Sequence, residues 1–183
     1  EFSDFLDSGW FVLGNGVANF EQQYAQYCQA KYCAGVASGL DALTLAIDAC
    51  RFPKGAEIIV PSNTYIATIM AVVRNDLTPV LVEPDISTYN IDPDKIATAI
   101  TSKTKAILVV HLYGKSCNMS RIQKLADQYQ LTVIEDVAQA QGAKHKGHVA
   151  GGFGIGCHSF YPTKNLGALG DGGAITSSNE AFI

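Results

Sequence analysis

The sequence predicts an α/β fold with a mostly parallel sheet that helices cover on both faces. Strand-like apolar runs alternate with helical stretches of about ten residues, an order typical of right-handed βαβ units. Polar or aromatic residues follow several of these runs, and ligands of parallel sheets bind at the carboxyl ends of the strands. One lysine, Lys164, lies between a short aromatic strand and a glycine-rich turn, where the backbone can approach a ligand closely.

Periodicity and turn residues define the elements of the first half. Apolar residues at helical spacing predict a helix, and they are Val17, Phe20, Tyr24 and Tyr27. A short strand over 34–37 ends at the turn Ser38-Gly39-Leu40-Asp41, and an Ala/Leu-rich helix follows over 42–50. The next predicted elements are a strand over 57–60, a helix that Asn63-Thr64-Tyr65 leads into and that runs to about Arg74, and a strand over 78–82.

The turn that begins at Ser38 has two interpretations. Unpaired backbone N–H groups and the positive dipole end of the following helix suit the turn to hold a phosphate. Alternatively, it is an ordinary strand-to-helix turn that Ser38 caps. The residues of the turn alone leave both interpretations open.

The second half continues the alternation. Asp92-Pro93 begins a helix with a capping side chain and a proline in the first turn, and a long β-rich run follows over 105–112. Asn118 is predicted to cap a helix that ends near Gln130. The remaining elements are a strand over 131–135 with Asp136 just beyond its last apolar residue, a strand over 157–161 before Lys164, and a helix that Asn179 caps.

Composition and charge argue against several classes of function. The 183 residues are 48% hydrophobic and 16% charged, as expected for one globular domain. A net charge of -4, a pI near 5.5 and the lack of a Lys/Arg run argue against a nucleic-acid partner. The sequence has neither an apolar run of roughly 18 residues nor a signal-peptide pattern at its start, so we expect a cytoplasmic protein without a membrane partner.

Metal, disulfide and nucleotide-loop motifs are absent from the sequence. The five cysteines form no Cys-x-x-Cys pair, and the histidines lack the i, i+4 spacing with a glutamate that a metal site uses. Asn19 stands where a dinucleotide-binding loop starting at Gly14 needs its third glycine. Val109 stands where a nucleotide-phosphate loop ending at Gly114-Lys115-Ser116 needs its leading glycine.

Four candidate residues are expected to meet at one rim of the sheet, because each follows a predicted strand: Ser38, Tyr65, Asp136 and Lys164. A lysine amine acts as a covalent catalyst when it forms a Schiff base with a carbonyl. By itself, a lysine in a glycine-rich loop is more often an ordinary surface residue. The residues around Lys164 therefore carry the argument for a reactive amine.

Several ordered stretches resemble the DegT/DnrJ family of pyridoxal phosphate-dependent nucleotide-sugar aminotransferases, and the resemblance covers essentially all 183 residues. The stretches are Gly9-Trp10-Phe11-Val12-Leu13-Gly14, Ala37-Ser38-Gly39-Leu40-Asp41-Ala42-Leu43, Pro61-Ser62-Asn63-Thr64-Tyr65-Ile66-Ala67-Thr68, His111-Leu112-Tyr113-Gly114, Glu135-Asp136-Val137-Ala138-Gln139-Ala140, and the stretch 159–173 around Lys164. The resemblance implies the aspartate aminotransferase-like fold. Residues 1–183 would form the three-layer αβα large domain, which binds the cofactor, and the C-terminal small domain would lie beyond Ile183.

The resemblance also implies a role for each candidate residue toward the cofactor pyridoxal 5'-phosphate. Lys164 would hold the cofactor covalently and then act as the general base. Asp136 would pair with the pyridine nitrogen, and Gln139 would hydrogen-bond the ring oxygen. The other implied contacts are Tyr65 stacking on the ring, and a phosphate site made by the turn at Ser38, the backbone of Gly39 and Leu40, and the Ser159 hydroxyl. Leu40 departs from the family, where many members have a hydroxyl residue, and can offer its N–H alone.

The implied reaction moves an amino group from an amino acid, by resemblance glutamate, to a keto group on a nucleotide-linked sugar. The sequence around Lys164 resembles the corresponding sequence of members that act on 3-keto sugars more than that of members that act on 4-keto sugars. Two alternatives remain within the family. One is a sugar dehydratase, in which histidine replaces the lysine, so Lys164 argues against it. The other is a catalytically silent regulator or sensor, which the intact set of cofactor residues disfavours. The family also implies a homodimer with shared active sites. Both ends look cut, so we expect these residues to be the front part of a longer protein and to be inactive by themselves.

Overall fold

A seven-stranded sheet forms the centre of the computed structural model, which describes residues 2–182. The strand order across the sheet is β1-β9-β8-β5-β4-β2-β3, and β6 and β7 form a separate hairpin. The strands are β1 (Tyr32–Val36), β2 (Glu57–Pro61), β3 (Thr78–Val82), β4 (Thr104–Val110), β5 (Thr132–Asp136), β6 (Lys144–His145), β7 (His148–Val149), β8 (Ile155–Ser159) and β9 (Gly173–Ser177). Strand β9 runs antiparallel to β1 and β8, and the other neighbouring pairs of this sheet are parallel.

Helices cover both faces of the sheet. They are α1 (Phe2–Asp7), α2 (Asn15–Tyr27), α3 (Gly39–Ala49), α4 (Ile66–Arg74), α5 (Pro93–Ala99) and α6 (Met119–Tyr129), with 3-10 turns at Leu112–Gly114 and Glu180–Phe182. In β4, Leu108 packs with residues of α3 and α4, whereas its neighbour Ile107 packs with residues of α5 and α6. Adjacent residues of β4 thus contribute to two separate hydrophobic cores, one on each face of the sheet. The predicted mostly parallel α/β fold is confirmed.

The helix starts that the sequence predicted are present with their capping side chains. The Ser38 hydroxyl accepts the Asp41 N–H at the start of α3, and the Asp92 carboxylate accepts the Asp94 N–H at the start of α5. Asn118 likewise caps α6. No helix within residues 2–182 is long and apolar enough to cross a membrane.

The C-terminal part differs from the sequence prediction. Residues 173–177 were not predicted as a strand, yet they form β9 and insert between β1 and β8. The register pairs Tyr32 with Ser177, so the partners lie far apart along the chain and no local pattern marks them. The predicted helix after Asn179 is a short 3-10 turn, in which the Asn179 side chain accepts the Ala181 N–H.

Glu135 is a fully buried carboxylate that binds the loop before β8 through backbone N–H groups. Its Oε2 atom lies 3.0 Å from Nε2 of His111 and accepts the Gly151 N–H at 2.9 Å. Its Oε1 atom accepts the N–H groups of Phe153 and Gly154 at 2.8 and 2.9 Å. Burial by itself raises the pKa of Glu135, but the hydrogen bonds from His111 and the loop outweigh burial and hold the pKa below its usual range.

Replacing Glu135 with glutamine should therefore destabilise the fold by about 3 kcal/mol at neutral pH. The substitution removes the buried negative charge to which His111 and three backbone N–H groups are hydrogen-bonded. A carboxyl whose folded-state pKa is depressed stabilises the fold above its unfolded-state pKa of about 4.3, and the stabilisation is lost as the pH falls through the folded-state value. The difference between wild type and E135Q should thus shrink in acid. Urea unfolding at several pH values measures it, with the exposed Glu83→Gln as the control. A difference that is independent of pH would contradict the assigned charge.

Candidate active site

A cavity of about 420 Å³ opens at the carboxyl ends of the strands. It lies where β1, β5 and β8 end and where the loop that contains Lys164 crosses above them. The structure brings together in its lining all the residues that the sequence singled out, which are Ser38, Gly39, Leu40, Tyr65, Asp136, Gln139, Ser159 and Lys164.

The start of α3 forms one wall of the cavity. The first N–H groups of a helix have no partner within the helix, so Gly39 and Leu40 present theirs to this end of the fold. The Ser38 hydroxyl donates to Oδ2 of Asp41 at 2.8 Å while it accepts the Asp41 N–H. Its side chain is therefore engaged as a helix cap, and the polar groups of this wall that remain are mainly backbone N–H groups.

Close packing between the start of α3 and the end of β8 requires glycine at position 39. A Cβ atom at Gly39 would lie 2.5 Å from Cβ of Ser159 and 3.2 Å from its Cα. The absent side chain lets the end of β8 approach the first turn of α3, which places the Ser159 hydroxyl beside the helix N-terminus. Leu40 is half-buried and packs its side chain against the core below.

Asp136 is the last residue of β5 and is 6% exposed. Its Oδ1 atom accepts the Ala138 N–H at 3.1 Å, and its Oδ2 atom accepts the Thr68 hydroxyl at 2.8 Å. Burial raises the pKa of Asp136, although both hydrogen bonds and the positive charges of His111 and Lys164 oppose this increase. A further positively charged partner would therefore stabilise the charged form of this carboxylate, which lies at the base of the cavity.

The Gln139 amide has a fixed orientation. Its Oε1 atom accepts the Tyr113 N–H at 3.0 Å, which leaves the amide NH₂ group as the donor that can serve a ligand. Tyr113 holds the left-handed backbone conformation, with φ 56° and ψ 33°, which is uncommon for an aromatic residue. A backbone turn of this kind thus determines which end of the Gln139 amide can donate.

Tyr65 and Lys164 occupy the open side of the cavity. Tyr65 directly precedes α4 and is 73% exposed, so its ring stands free for contact with a ligand. Lys164 is half-buried, and its backbone N–H donates to the Tyr161 carbonyl at 2.8 Å in the turn after β8. A Cβ atom at Gly167 would lie 2.6 Å from the Pro162 carbonyl oxygen. The glycine therefore allows the tight loop that carries Lys164.

Sequence reasoning missed several residues of the cavity. Thr64, Thr163 and Asp171 line it, and Thr68 lies beneath it as a partner of Asp136. One signal for Thr68 was available, because Thr64, just before α4, and Thr68, in its first turn, stand four residues apart, and their hydroxyl oxygens lie 2.8 Å from each other. Within residues 2–182, no group of three or more His, Cys, Asp or Glu side chains is placed to hold a metal ion.

Comparison with known proteins decides the family. The model of the DegT/DnrJ/EryC1/StrS aminotransferase family matches residues 1–183. The chain belongs to this family. The resemblance that the sequence motifs indicated is therefore confirmed.

Individual members of the family show how closely the chain is related to them. It is 62% identical over 175 residues to the dTDP-3-amino-3,6-dideoxy-alpha-D-galactopyranose transaminase of Aneurinibacillus thermoaerophilus, a match that covers 95% of this chain and 48% of the relative. The structure of S. venezuelae DesV in complex with a ketimine intermediate superposes with a TM-score of 0.96 at 44% identity, covering 98% of this chain and 49% of the other.

A third member bears on the cofactor. NtdA of Bacillus subtilis, solved with the bound cofactor PMP, superposes with a TM-score of 0.91 at 39% identity, over 98% of this chain and 41% of the other. The chain spans about half the length of the curated relatives that it matches. The comparison thus concerns about half of each of these proteins.

Proposed function

We propose that residues 1–183 form the cofactor-binding large domain of a pyridoxal phosphate-dependent aminotransferase that aminates a nucleotide-linked 3-keto sugar. The observation that carries the proposal is the cavity itself, in which Lys164 and the buried carboxylate of Asp136 line one space beside a helix N-terminus. An ordinary surface lysine would have neither a buried carboxylate nor a helix N-terminus in the same cavity. Family membership and the 3-amino sugar in the name of the Aneurinibacillus relative support the reaction and the sugar position.

The polar groups of the cavity are complementary to three functional groups of pyridoxal phosphate: its phosphate, its ring nitrogen and its aldehyde. Its phosphate is an anion, and the start of α3 offers N–H groups next to the Ser159 hydroxyl. Its ring nitrogen is basic, and Asp136 offers a buried carboxylate. Its aldehyde reacts with amines, and Lys164 offers the amine. The donor set of this chain thus matches each part with a group of complementary chemistry.

Each residue then has a distinct role. When bound, the cofactor supplies an electron sink for negative charge on the carbon next to the reacting amino group. Lys164 would hold the cofactor covalently until the amine of the amino-acid donor displaces it, and its freed Nζ atom would then move a proton to and from that carbon. Asp136 would hold positive charge on the ring nitrogen. Gln139 would offer its NH₂ group to the ring oxygen, and the Tyr65 ring would pack against one face of the cofactor.

The remaining expectations belong to the whole protein and are part of the proposal. The amino donor is an amino acid, by resemblance glutamate, and the acceptor is a nucleotide-linked keto sugar. The protein acts in the cytoplasm as a homodimer whose subunits share their active sites. A small domain completes each subunit, which agrees with the span of about half of each curated relative.

Covalent labelling tests the proposal. The protein is incubated with pyridoxal 5'-phosphate and reduced with borohydride, and the modified lysines are mapped by peptide mass spectrometry. We expect the adduct to be concentrated on Lys164 and to be lost in Lys164→Ala. Lys124→Ala is the control, since Lys124 is exposed on α6. A label scattered over surface lysines in the folded full-length protein would overturn the proposed function.

A further inference from the structure

We propose that Thr68 is a positioning residue that holds the Asp136 carboxylate in place for the ring nitrogen of the cofactor, and that Thr64 supports it. The inference rests on the proposed function, since it concerns the same cavity. Two hydroxyl groups and the carboxylate form one hydrogen-bonded chain. It runs from the wall of the cavity, where Thr64 lies, to the buried carboxylate at the base.

The direction of each hydrogen bond in this chain follows from the chemistry of its members. Thr68 is 1% exposed, and its hydroxyl donates to Oδ2 of Asp136 at 2.8 Å. Its Oγ1 atom lies 2.8 Å from Oγ1 of Thr64. A hydroxyl has one proton to donate, and Thr68 gives its proton to the carboxylate. Thr64 is therefore the donor to Thr68, and its proton polarises the Thr68 hydroxyl in the direction that strengthens the second bond.

The contacts of Asp136 fix its orientation from both oxygens. Thr68 holds Oδ2, while the Ala138 N–H holds Oδ1. Two donors at different oxygens restrict rotation of the carboxylate plane and favour its charged form against the effect of burial. Each oxygen has acceptor capacity beyond its one protein donor, so the oriented carboxylate can still accept a proton donor from the cavity.

The same helical turn also positions the aromatic side of the site. The Thr68 N–H donates to the Tyr65 carbonyl at 3.1 Å in the first turn of α4. Tyr65 lines the cavity with an exposed ring, whereas Thr68 points its hydroxyl inward to Asp136. The start of α4 thus couples the position of the ring-facing tyrosine to that of the carboxylate. Thr68→Val keeps the shape of the side chain and removes the hydroxyl that donates to Asp136 and accepts from Thr64.

The test compares two ligands on three variants. Dissociation constants are measured by fluorescence titration for pyridoxal 5'-phosphate and for its 1-deaza analogue, in which a C–H group replaces the ring nitrogen. We expect Thr68→Val to weaken binding of pyridoxal phosphate about tenfold, which corresponds to about 1.4 kcal/mol, and to change binding of the analogue by less than about twofold. Thr68→Ser keeps the hydroxyl and should restore the wild-type preference. Thr98→Val, at an exposed position of α5, should change neither constant.

The possible outcomes separate the two proposals. Equal weakening of both ligands by Thr68→Val would show a packing role and overturn this inference. Unchanged binding of pyridoxal phosphate by Thr68→Val would overturn it as well, while the proposed function would stand. These titrations use the protein at the full length of its relatives, and failure of that wild-type protein to bind pyridoxal phosphate would overturn the proposed function and the inference with it. Thermal melting of the cofactor-free variants confirms that each one is folded.

Discussion

Replacing Lys164 with alanine should reduce amino transfer at least about 10³-fold, because the substitution removes both the covalent attachment and the general base, and base catalysis alone contributes about 10² to 10⁴. The rate is measured with an amino-acid donor and a nucleotide-linked keto sugar. The protein is assayed at the full length of its relatives, since residues 1–183 span about half of them. The loss should appear in kcat.

Two controls separate chemistry from folding in Lys164→Ala. Lys164 is half-buried in an exposed loop rather than in the core, so the variant should melt within a few degrees of the wild type, as expected for substitutions away from a packed core. Added methylamine should restore part of the rate, because a small amine can enter the space that the side chain leaves. An alanine variant that retains wild-type turnover would show that another group moves the proton.

Local signals in the sequence were sufficient to predict much of the frame of the site. A capping residue acts on backbone within one turn, so Ser38, Asp92 and Asn118 could be recognised without any knowledge of the tertiary fold. The position of Asp136 followed from the end of an apolar run. The convergence of these positions followed from the rule that parallel strands end on one side of the sheet.

Contacts between distant segments could not be predicted in this way. Strand β9 depends on pairing with β1 and β8, and the register of β1 with β9 joins Cys33 to Thr176. Thr68 and Asp136 lie 68 residues apart in the chain. The orientation of the Gln139 amide depends on the backbone conformation at Tyr113. Each of these features needs the folded arrangement, because no pattern within a few residues encodes it.

Glu135 and Asp136 show how one strand serves both stability and the site. Neighbouring strand residues point to opposite faces of a sheet, and both carboxylates are buried. Glu135 is surrounded by donors, so its pKa is lowered, whereas burial dominates at Asp136 and its pKa is raised. The fold therefore compensates the burial of Glu135 more fully than the burial of Asp136, which agrees with the proposed pairing of Asp136 with a cationic ligand.

Replacing Asp136 with asparagine should lower kcat for amino transfer by about 10² to 10³-fold, the range typical of losing one preorganised electrostatic partner of the reacting centre. Asparagine keeps the size of the side chain and can accept the Ala138 N–H, but it cannot hold positive charge on the ring nitrogen. Lys164 remains available, so the borohydride-stable adduct should still form. Asp127→Asn, at an exposed position of α6, is the control, and a wild-type kcat in D136N would contradict the assigned role.

The same substitution should leave the cofactor-free protein as stable as the wild type or more stable at neutral pH. A carboxyl with a raised folded-state pKa destabilises the fold above that pKa, and the effect disappears below the unfolded-state value of about 3.9. Any gain from D136N in urea unfolding should therefore fade as the pH falls through this range. Loss of turnover together with unchanged or increased stability would show that Asp136 serves the reaction at the expense of the fold. A strongly destabilised D136N would instead assign the carboxylate a structural role.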